Sequence, residues 1–420
     1  MTNTTRALMS TALVLGVAAG VAAGPAVLPA AASGGYVAHA ASGGSAAGSP
    51  ACPAPSAPSR PSAPSVSWRG AHAEPALEAA LACLPSADAT AALVRVGGRE
   101  GVWRGSSGVH DLESGRPADP AARFRAGSVT KVFTAAVVLQ LAREGRVDLD
   151  RTARSYLPEL IPASYGGVTV RQLLNHTHGI PAPDFPGTTV EERYANRFQR
   201  HEPEDMVRSA VSKEREFAPG ERQHYLNIGY VVAGLIVERV TGDSYEHQVV
   251  RRILKPLGLR DTYFPGTDPH IVGPHNHGYQ TMTLDDGTTG LRDVSVWGTT
   301  DGWAAGDIVS TTADLERFTR SLFAGRVVRG PLLEEMFTLP KVTDLKSGAP
   351  AAYSVGLSMK KLGGREVWGK TGGRWGYNAA VASTRDGSRT LVYSVNSTNA
   401  KGQDMNEVAQ DIMVAAYGRP

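Results

Sequence analysis

Arg123-Phe124-Arg125-Ala126-Gly127-Ser128-Val129-Thr130-Lys131 leads without a break into the apolar run Phe133–Leu141, with Gly145 as a stop just beyond it. The run predicts a buried helix. A helix here fixes the relation of two polar residues near its mouth. Residues three apart on a helix share a face, so the Lys131 amine can reach the Ser128 hydroxyl. A serine hydroxyl is a weak nucleophile until a base takes its proton, and a lysine of depressed pKa can be that base. The helix N-terminus adds a positive dipole end and a free backbone N–H able to receive an oxyanion. Standing alone, Ser-x-x-Lys reads equally well as a helix cap followed by a surface lysine. A second copy, Ser358-Met359-Lys360-Lys361, falls where a strand is expected and is read as chance.

Working outward, Ala76, Leu77, Ala80, Leu81 and Leu84 have helical spacing, and Ala92–Val96 with Gly101–Val109 predict a strand pair around Gly97-Gly98. Residues from about 146 to 300 mix short helices with long Pro/Gly loops, and Tyr230–Val240 is the clearest apolar helix among them. A helix is predicted near Thr312. Strands follow at Tyr353–Met359, Glu366–Lys370, Asn378–Ser383 and Thr390–Asn396, with Asp386-Gly387 turning between the last two. A final amphipathic helix places Met405, Val408, Ile412, Met413 and Tyr417 on one face. Strands and helices at both ends around a helical insertion predict an α+β domain over residues 71–420. Its antiparallel sheet is flanked by helices and carries an inserted, mostly helical lobe, with a cleft between the two.

Two further constellations fall in that frame. Tyr225-Leu226-Asn227 sits at the entry to the Tyr230–Val240 helix. A phenol near an ammonium can lose or relay a proton, and a carboxamide beside it can fix a substrate amide. The look-alike Tyr194-Ala195-Asn196 has no apolar support, and a half-buried tyrosine with a satisfied hydroxyl is the plain alternative for Tyr225. Lys370-Thr371-Gly372, followed by Gly373, lies at the end of a predicted strand. A lysine, a hydroxyl and two glycines beside a sheet edge would admit a peptide backbone closely and supply charge for a carboxylate. Its plain alternative is a turn with a solvated lysine.

The order Ser-x-x-Lys, Tyr-x-Asn, Lys-Thr-Gly is far more specific than any member of it, and with it the sequence resembles the penicillin-recognising serine hydrolases. Within them it is similar to the secreted serine-type D-alanyl-D-alanine carboxypeptidases and class C β-lactamases. The likeness runs from about Ala92 to Tyr417 and includes Leu174-Asn175-His176-Thr177-His178-Gly179, Pro256-Leu257-Gly258 and Trp368-Gly369-Lys370-Thr371-Gly372. The resemblance implies a β-lactamase/transpeptidase-like fold and an acyl-enzyme on Ser128. It implies that Lys131 and Tyr225 move the protons, either one being the primary base. It also implies that Asn227 holds the substrate's side-chain amide and that Lys370 and Thr371 sit beside its carboxylate. Backbone N–H groups of Ser128 and Gly373 would form the oxyanion hole.

The favoured activity is a D-alanyl-D-alanine carboxypeptidase on peptidoglycan stem peptides. A class C-like β-lactamase, an esterase, a D-amino-acid peptidase or a peptide cyclase are its alternatives. Three departures bear on this choice. Lys370 stands where the secreted carboxypeptidases often have His, and in this it is more similar to β-lactamases and other penicillin-binding proteins. Leu226 stands where the family has Ser. Ser358 stands where the carboxypeptidases carry an Arg that reads the free C-terminus, and Lys360 or Lys361 is its candidate replacement, with at most one facing inward.

Composition narrows the alternatives. With 43 Lys+Arg against 40 Asp+Glu and no basic stripe, a nucleic-acid partner is not expected. His176, His178, His270, His275 and His277 raise a zinc hydrolase, but no His-Glu-x-x-His occurs, and no cofactor is expected. A Gly-x-Ser-x-Gly elbow is likewise missing from the sequence. A non-catalytic receptor for wall fragments or β-lactams has no need of Ser128, Lys131, Tyr225 and Lys370 together.

The N-terminal end reads as an export signal over residues 1–40. Arg6 precedes the apolar Ala7–Val21, and Ala-x-Ala sites end at Ala32 and Ala40. Gly16, Gly20, Gly24 and Pro25 make a poor membrane span. Residues 41–70 form a Pro/Ser/Ala/Gly tether. The expectation is a secreted monomer with no lasting membrane insertion, its partners a stem peptide or a β-lactam. Cys52 and Cys83 can bridge in an oxidising compartment or remain free thiols.

Overall fold

The structure, a computed structural model, describes residues 74–402 and 404–418. The export signal, the tether and Cys52 lie outside the described residues; Cys83 is disulfide-bonded. In chain order the framework is α1 (Pro75–Leu81), β1 (Ala89–Gly97), β2 (Trp103–Gly108), α2 (Thr130–Arg143), α3 (Ile228–Thr241), α4 (Thr312–Phe323), β3 (Ser358–Leu362), β4 (Arg365–Arg374), β5 (Tyr377–Thr384), β6 (Thr390–Ser397) and α5 (Glu407–Tyr417). The six strands form one sheet in the order β2-β1-β6-β5-β4-β3, every neighbouring pair antiparallel.

Period-two alternation divides the core between the two faces of this sheet. Leu391, Tyr393 and Val395 of β6 pack with Leu77 and Leu81 of α1 and Ile412 and Met413 of α5. Val392, between them, joins the larger core built with α2, α3 and α4. Helix α2 is buried along nearly its whole length, from Thr130 through Leu139, which marks a helix inside the domain rather than on its surface. It starts one turn earlier than its apolar run. There the Thr130 hydroxyl donates to the Gly127 carbonyl and accepts from the Ile308 N–H, fixing the turn that precedes the helix. Gly145, at φ 71°, is the stop beyond it.

Two sequence expectations are corrected. The strand expected over Tyr353–Met359 forms as Ser358–Leu362 instead. Gly356, at φ +85° and packed so that an added Cβ would lie 2.6 Å from the Ala135 Cβ, curls the chain against α2 and delays extended pairing until Ser358. The inserted region is not only helices and loops: Tyr279–Thr283 and Thr289–Asp293 pair as an antiparallel ribbon. Asp286-Gly287 turns this ribbon, with Asp286 accepting from the Thr288 N–H and Gly287 at φ 81°.

Phe133 of α2 stacks on Phe318 of α4 with ring centroids 3.8 Å apart, both rings buried. Phe318→Ala should lower the unfolding free energy by about 3–5 kcal/mol in urea titration, through lost burial plus a cavity; a loss below ~1 kcal/mol would mean the two helices do not depend on this contact.

Candidate active site

Ser128 occupies a 3₁₀ turn, Gly127–Val129, immediately before α2, and Lys131 lies in that helix's first turn. The Lys131 side chain is wholly buried. Its Nζ lies 3.1 Å from Ser128 Oγ, 2.7 Å from Asn227 Oδ1 and 2.7 Å from the Ala305 carbonyl. Two of these partners can only accept. A neutral amine has two N–H groups for them and one lone pair left for the Ser128 hydroxyl. Burial, reinforced by the like charges of Lys370, Lys401 and Arg374, holds the Lys131 pKa well below the usual lysine range.

Tyr225 enters from the loop before α3. Its ring lies between two amines, 5.1 Å from Lys131 Nζ and 4.6 Å from Lys370 Nζ. The phenol hydroxyl is buried and makes no well-formed hydrogen bond among the described residues, yet it is near enough to Ser128 for that hydroxyl to offset part of the effect of burial. Burial keeps the phenol protonated well above its ordinary range. Ser128 therefore faces an amine biased toward its uncharged form and an uncharged phenol, a pair able to take a proton from one atom and return it to another.

Lys370, Thr371, Gly372 and Gly373 continue β4 past the strand end expected from sequence, paired to Val381, Ala380, Ala379 and Asn378 of β5. Lys370 is buried and donates to the Thr371 carbonyl at 2.8 Å. Desolvation brings its pKa down to about 7. Gly127 holds φ +53°, and an added Cβ there would sit 2.8 Å from the Gly373 nitrogen. One on Gly372 would sit 2.9 Å from the Ser128 nitrogen and 2.0 Å from the Ala126 carbonyl. The backbone amides of Ser128 and Gly373 thus meet where turn and strand touch, and only glycine permits that approach. Asn227 is exposed and Thr371 half-buried, whereas Ser128, Lys131, Tyr225 and Lys370 are buried.

Neither candidate replacement for the missing arginine reaches this cluster. Lys360 is opposite Val367, which packs into the α1/α5 core on the other face of the sheet. Lys361 is opposite Glu366, four residues and so roughly 13 Å down the strand from Lys370. The look-alike Tyr194-Ala195-Asn196 lies at the end of a short helix, Val190–Ala195, that buries no residue, and Ser358–Lys361 lies on β3. Leu226 is buried in the larger core.

Several contributing groups lie outside the three motifs. The Ala305 carbonyl reaches Lys131 from the Trp303–Ala305 turn, where Trp303 holds φ +33° and its indole N–H donates to Glu246 at 2.6 Å. Gln223 donates to the Asn175 and Tyr353 carbonyls and accepts from the N–H groups of Ala352 and Tyr353. It thereby ties the Tyr225 loop to Tyr353, whose ring lies 4.8 Å from that of Tyr225. Lys401 donates to the Gly373 carbonyl at 2.7 Å, and Arg374 pairs with Asp301 at 2.6 Å. His176, at φ +62°, packs its ring 4.4 Å from Tyr225, and both His176 and His178 are buried with strongly lowered pKa values. No group of three or more His, Cys, Asp or Glu side chains among the described residues is arranged to hold a metal.

A serine, an amine and a phenol gathered at a helix mouth beside a glycine-lined sheet edge define a serine hydrolase of the acyl-enzyme type. The Beta-lactamase family model matches residues 82–413, and the chain belongs to that family. Penicillin-binding protein 4* of Bacillus subtilis is 27% identical over 336 residues, covering 76% of this chain and 70% of that protein. Protein flp of Staphylococcus aureus strain MW2 is 33% identical over 165 residues, 38% of this chain; the match spans about a third (32%) of flp's length. Among solved structures, a D-stereospecific amidohydrolase from Streptomyces sp. superposes with TM-score 0.70 at 31% identity, covering 82% of this chain and 98% of that one. D-amino acid amidase from Ochrobactrum anthropi SV3 gives TM-score 0.69 at 25% identity, with coverages of 82% and 98%.

Gly127→Ala should retain the circular dichroism spectrum but slow active-site acylation by on the order of 100-fold, because the added methyl separates turn from strand. An acylation rate within twofold of the parent would show that the close approach is dispensable.

Proposed function

We propose that the chain is a secreted serine-type D-alanyl-D-alanine carboxypeptidase that acts on peptidoglycan stem peptides through an acyl-enzyme on Ser128. The observation that carries this reading is Lys370, a buried cation that makes no ion pair among the described residues and lies beside Tyr225 in the cleft. A substrate carboxylate is the complement of such a group. Asp301, already paired with Arg374, is not available to an ammonium group.

Ser128 Oγ attacks the penultimate carbonyl while its proton passes to Lys131, whose amine is hydrogen-bonded to it. The oxyanion forms between the amides of Ser128 and Gly373. The C–N bond then breaks, and the proton reaches the departing D-alanine amine by way of Lys131 and Tyr225. Water next attacks the ester, gives its proton to Lys131, and Ser128 leaves with that proton restored. Asn227 has its Oδ1 engaged by Lys131, so its Nδ2 is the end left to hold an acyl-side carbonyl. The apolar stretch and Ala-x-Ala sites of the N-terminal segment support action outside the cytoplasm, where such a substrate resides.

A second reading, a D-stereospecific amidase, is favoured by the 31% identity to the Streptomyces amidohydrolase. The two differ in the charge of the substrate's end. Turnover of an N-blocked tripeptide ending in D-Ala-D-Ala, compared with its C-terminal amide and with D-phenylalanine amide, separates them. The carboxypeptidase reading fails if the free acid is not the preferred substrate. Intact mass with benzylpenicillin should give a lasting adduct in the parent and none in Ser128→Ala; rapid drug consumption with no adduct would indicate a β-lactamase.

Lys370 in the free enzyme loses its charge as pH rises through about 7. Specificity (kcat/KM) for the free acid should therefore fall about tenfold per pH unit above that point, with no such limb for the C-terminal amide. A limb common to both substrates would assign the titration to another group.

A further inference from the structure

A cavity of about 480 Å³ opens between the β1–β2 edge and α4, lined by Arg95, Arg104, Arg317, Arg320, Arg326 and one carboxylate, Glu316. It lies three to four strands from Lys370, roughly 14–19 Å at the usual strand spacing, and is separate from the acyl-transfer site. Arg95 and Arg104 stand directly opposite each other on adjacent strands, a like-charge pairing that a sheet ordinarily avoids. Arg317 and Arg320 are three apart on α4, again a repulsive spacing.

Glu316 bonds Arg95 at 3.2 Å and approaches Arg104 at 3.7 Å, so its single charge is spent on the strand pair. Arg317 donates to the Gly258 carbonyl, and Arg326 to Ser321. Among the described residues, Arg317, Arg320 and Arg326 make no ion pair, although the chain as a whole is only +3. A second cavity of about 420 Å³ shares Arg326 and adds Arg143, Arg329 and one carboxylate, Glu144, which is paired with Arg252; Arg143 and Arg329 make no ion pair among the described residues. Five guanidiniums against one carboxylate make the cavity strongly positive, a potential that favours entry of an anion of several charges. Planar guanidinium forks suit phosphate oxygens, and an oligophosphate concentrates enough charge to fit.

We propose that this arginine-lined cavity is a binding site for an oligophosphate, an anion carrying two or more linked phosphate groups. The probe is inorganic tripolyphosphate, titrated calorimetrically into the whole protein at low and at high salt, with orthophosphate in parallel. Saturable one-to-one binding is expected, weakened by salt, tighter than orthophosphate, and reduced about tenfold or more in Arg320→Gln/Arg326→Gln with an unchanged circular dichroism spectrum. No saturable binding, or equal binding by the double variant, overturns the proposal. Should the variant misfold, phenylglyoxal labelling of the parent decides the matter: tripolyphosphate should protect Arg320 and Arg326 from modification, and absence of protection overturns the site.

Discussion

The site depends on the burial of one amine. Lys131 is removed from water with no carboxylate paired to it among the described residues, and three hydrogen-bond partners, Ser128, Asn227 and the Ala305 carbonyl, converge on its nitrogen. An ammonium in that position would carry a desolvation cost of several kcal/mol, so the uncharged form is favoured and becomes available as a base. The surrounding fold can be understood as what holds it there: the largely buried α2, the strained Trp303 turn that offers the Ala305 carbonyl, and Asn227 placed at the start of α3.

The second constraint is the contact between the Gly127–Val129 turn and β4. Strand pairing fixes Lys370 through Gly373 against β5, and the turn closes on the strand with no space for a Cβ on either side. Nucleophile, cation and backbone amides are therefore set by a rigid sheet and a core helix rather than by loops, which is the arrangement that keeps catalytic distances short. Tyr225 is the exception, since it comes from a loop, and Gln223 compensates with four hydrogen bonds, three joining that loop to the segment ahead of β3 and one to the Asn175 carbonyl.

Much of this was legible in the residues. Ser128 and Lys131 follow from helical spacing, and Tyr225-Leu226-Asn227 and Lys370–Gly373 from their position at the edges of apolar elements. An antiparallel sheet flanked by helices was readable from alternation and amphipathicity. What escaped was long-range or carried by the backbone. A carbonyl such as that of Ala305 has no sequence signature, Gln223 looks like any polar residue between charged neighbours, and Gly356 displaced a strand by acting through a contact with α2 that no local pattern encodes. The ribbon at Tyr279–Asp293 was signalled by Asp286-Gly287, but its flanks lack a strong apolar alternation.

Helices α1 and α5 pack together on the sheet face opposite α2. Glu74, ahead of α1, reaches Arg389 at 2.9 Å, and Arg389 in turn donates to the Ala416 carbonyl of α5. The two ends of the described fold are thus neighbours on the side away from the cleft. A fusion partner or an immobilising support attached at either end would leave the cleft unobstructed. A short linker could also join the ends, freeing an exposed loop elsewhere to serve as new termini in a circular permutant.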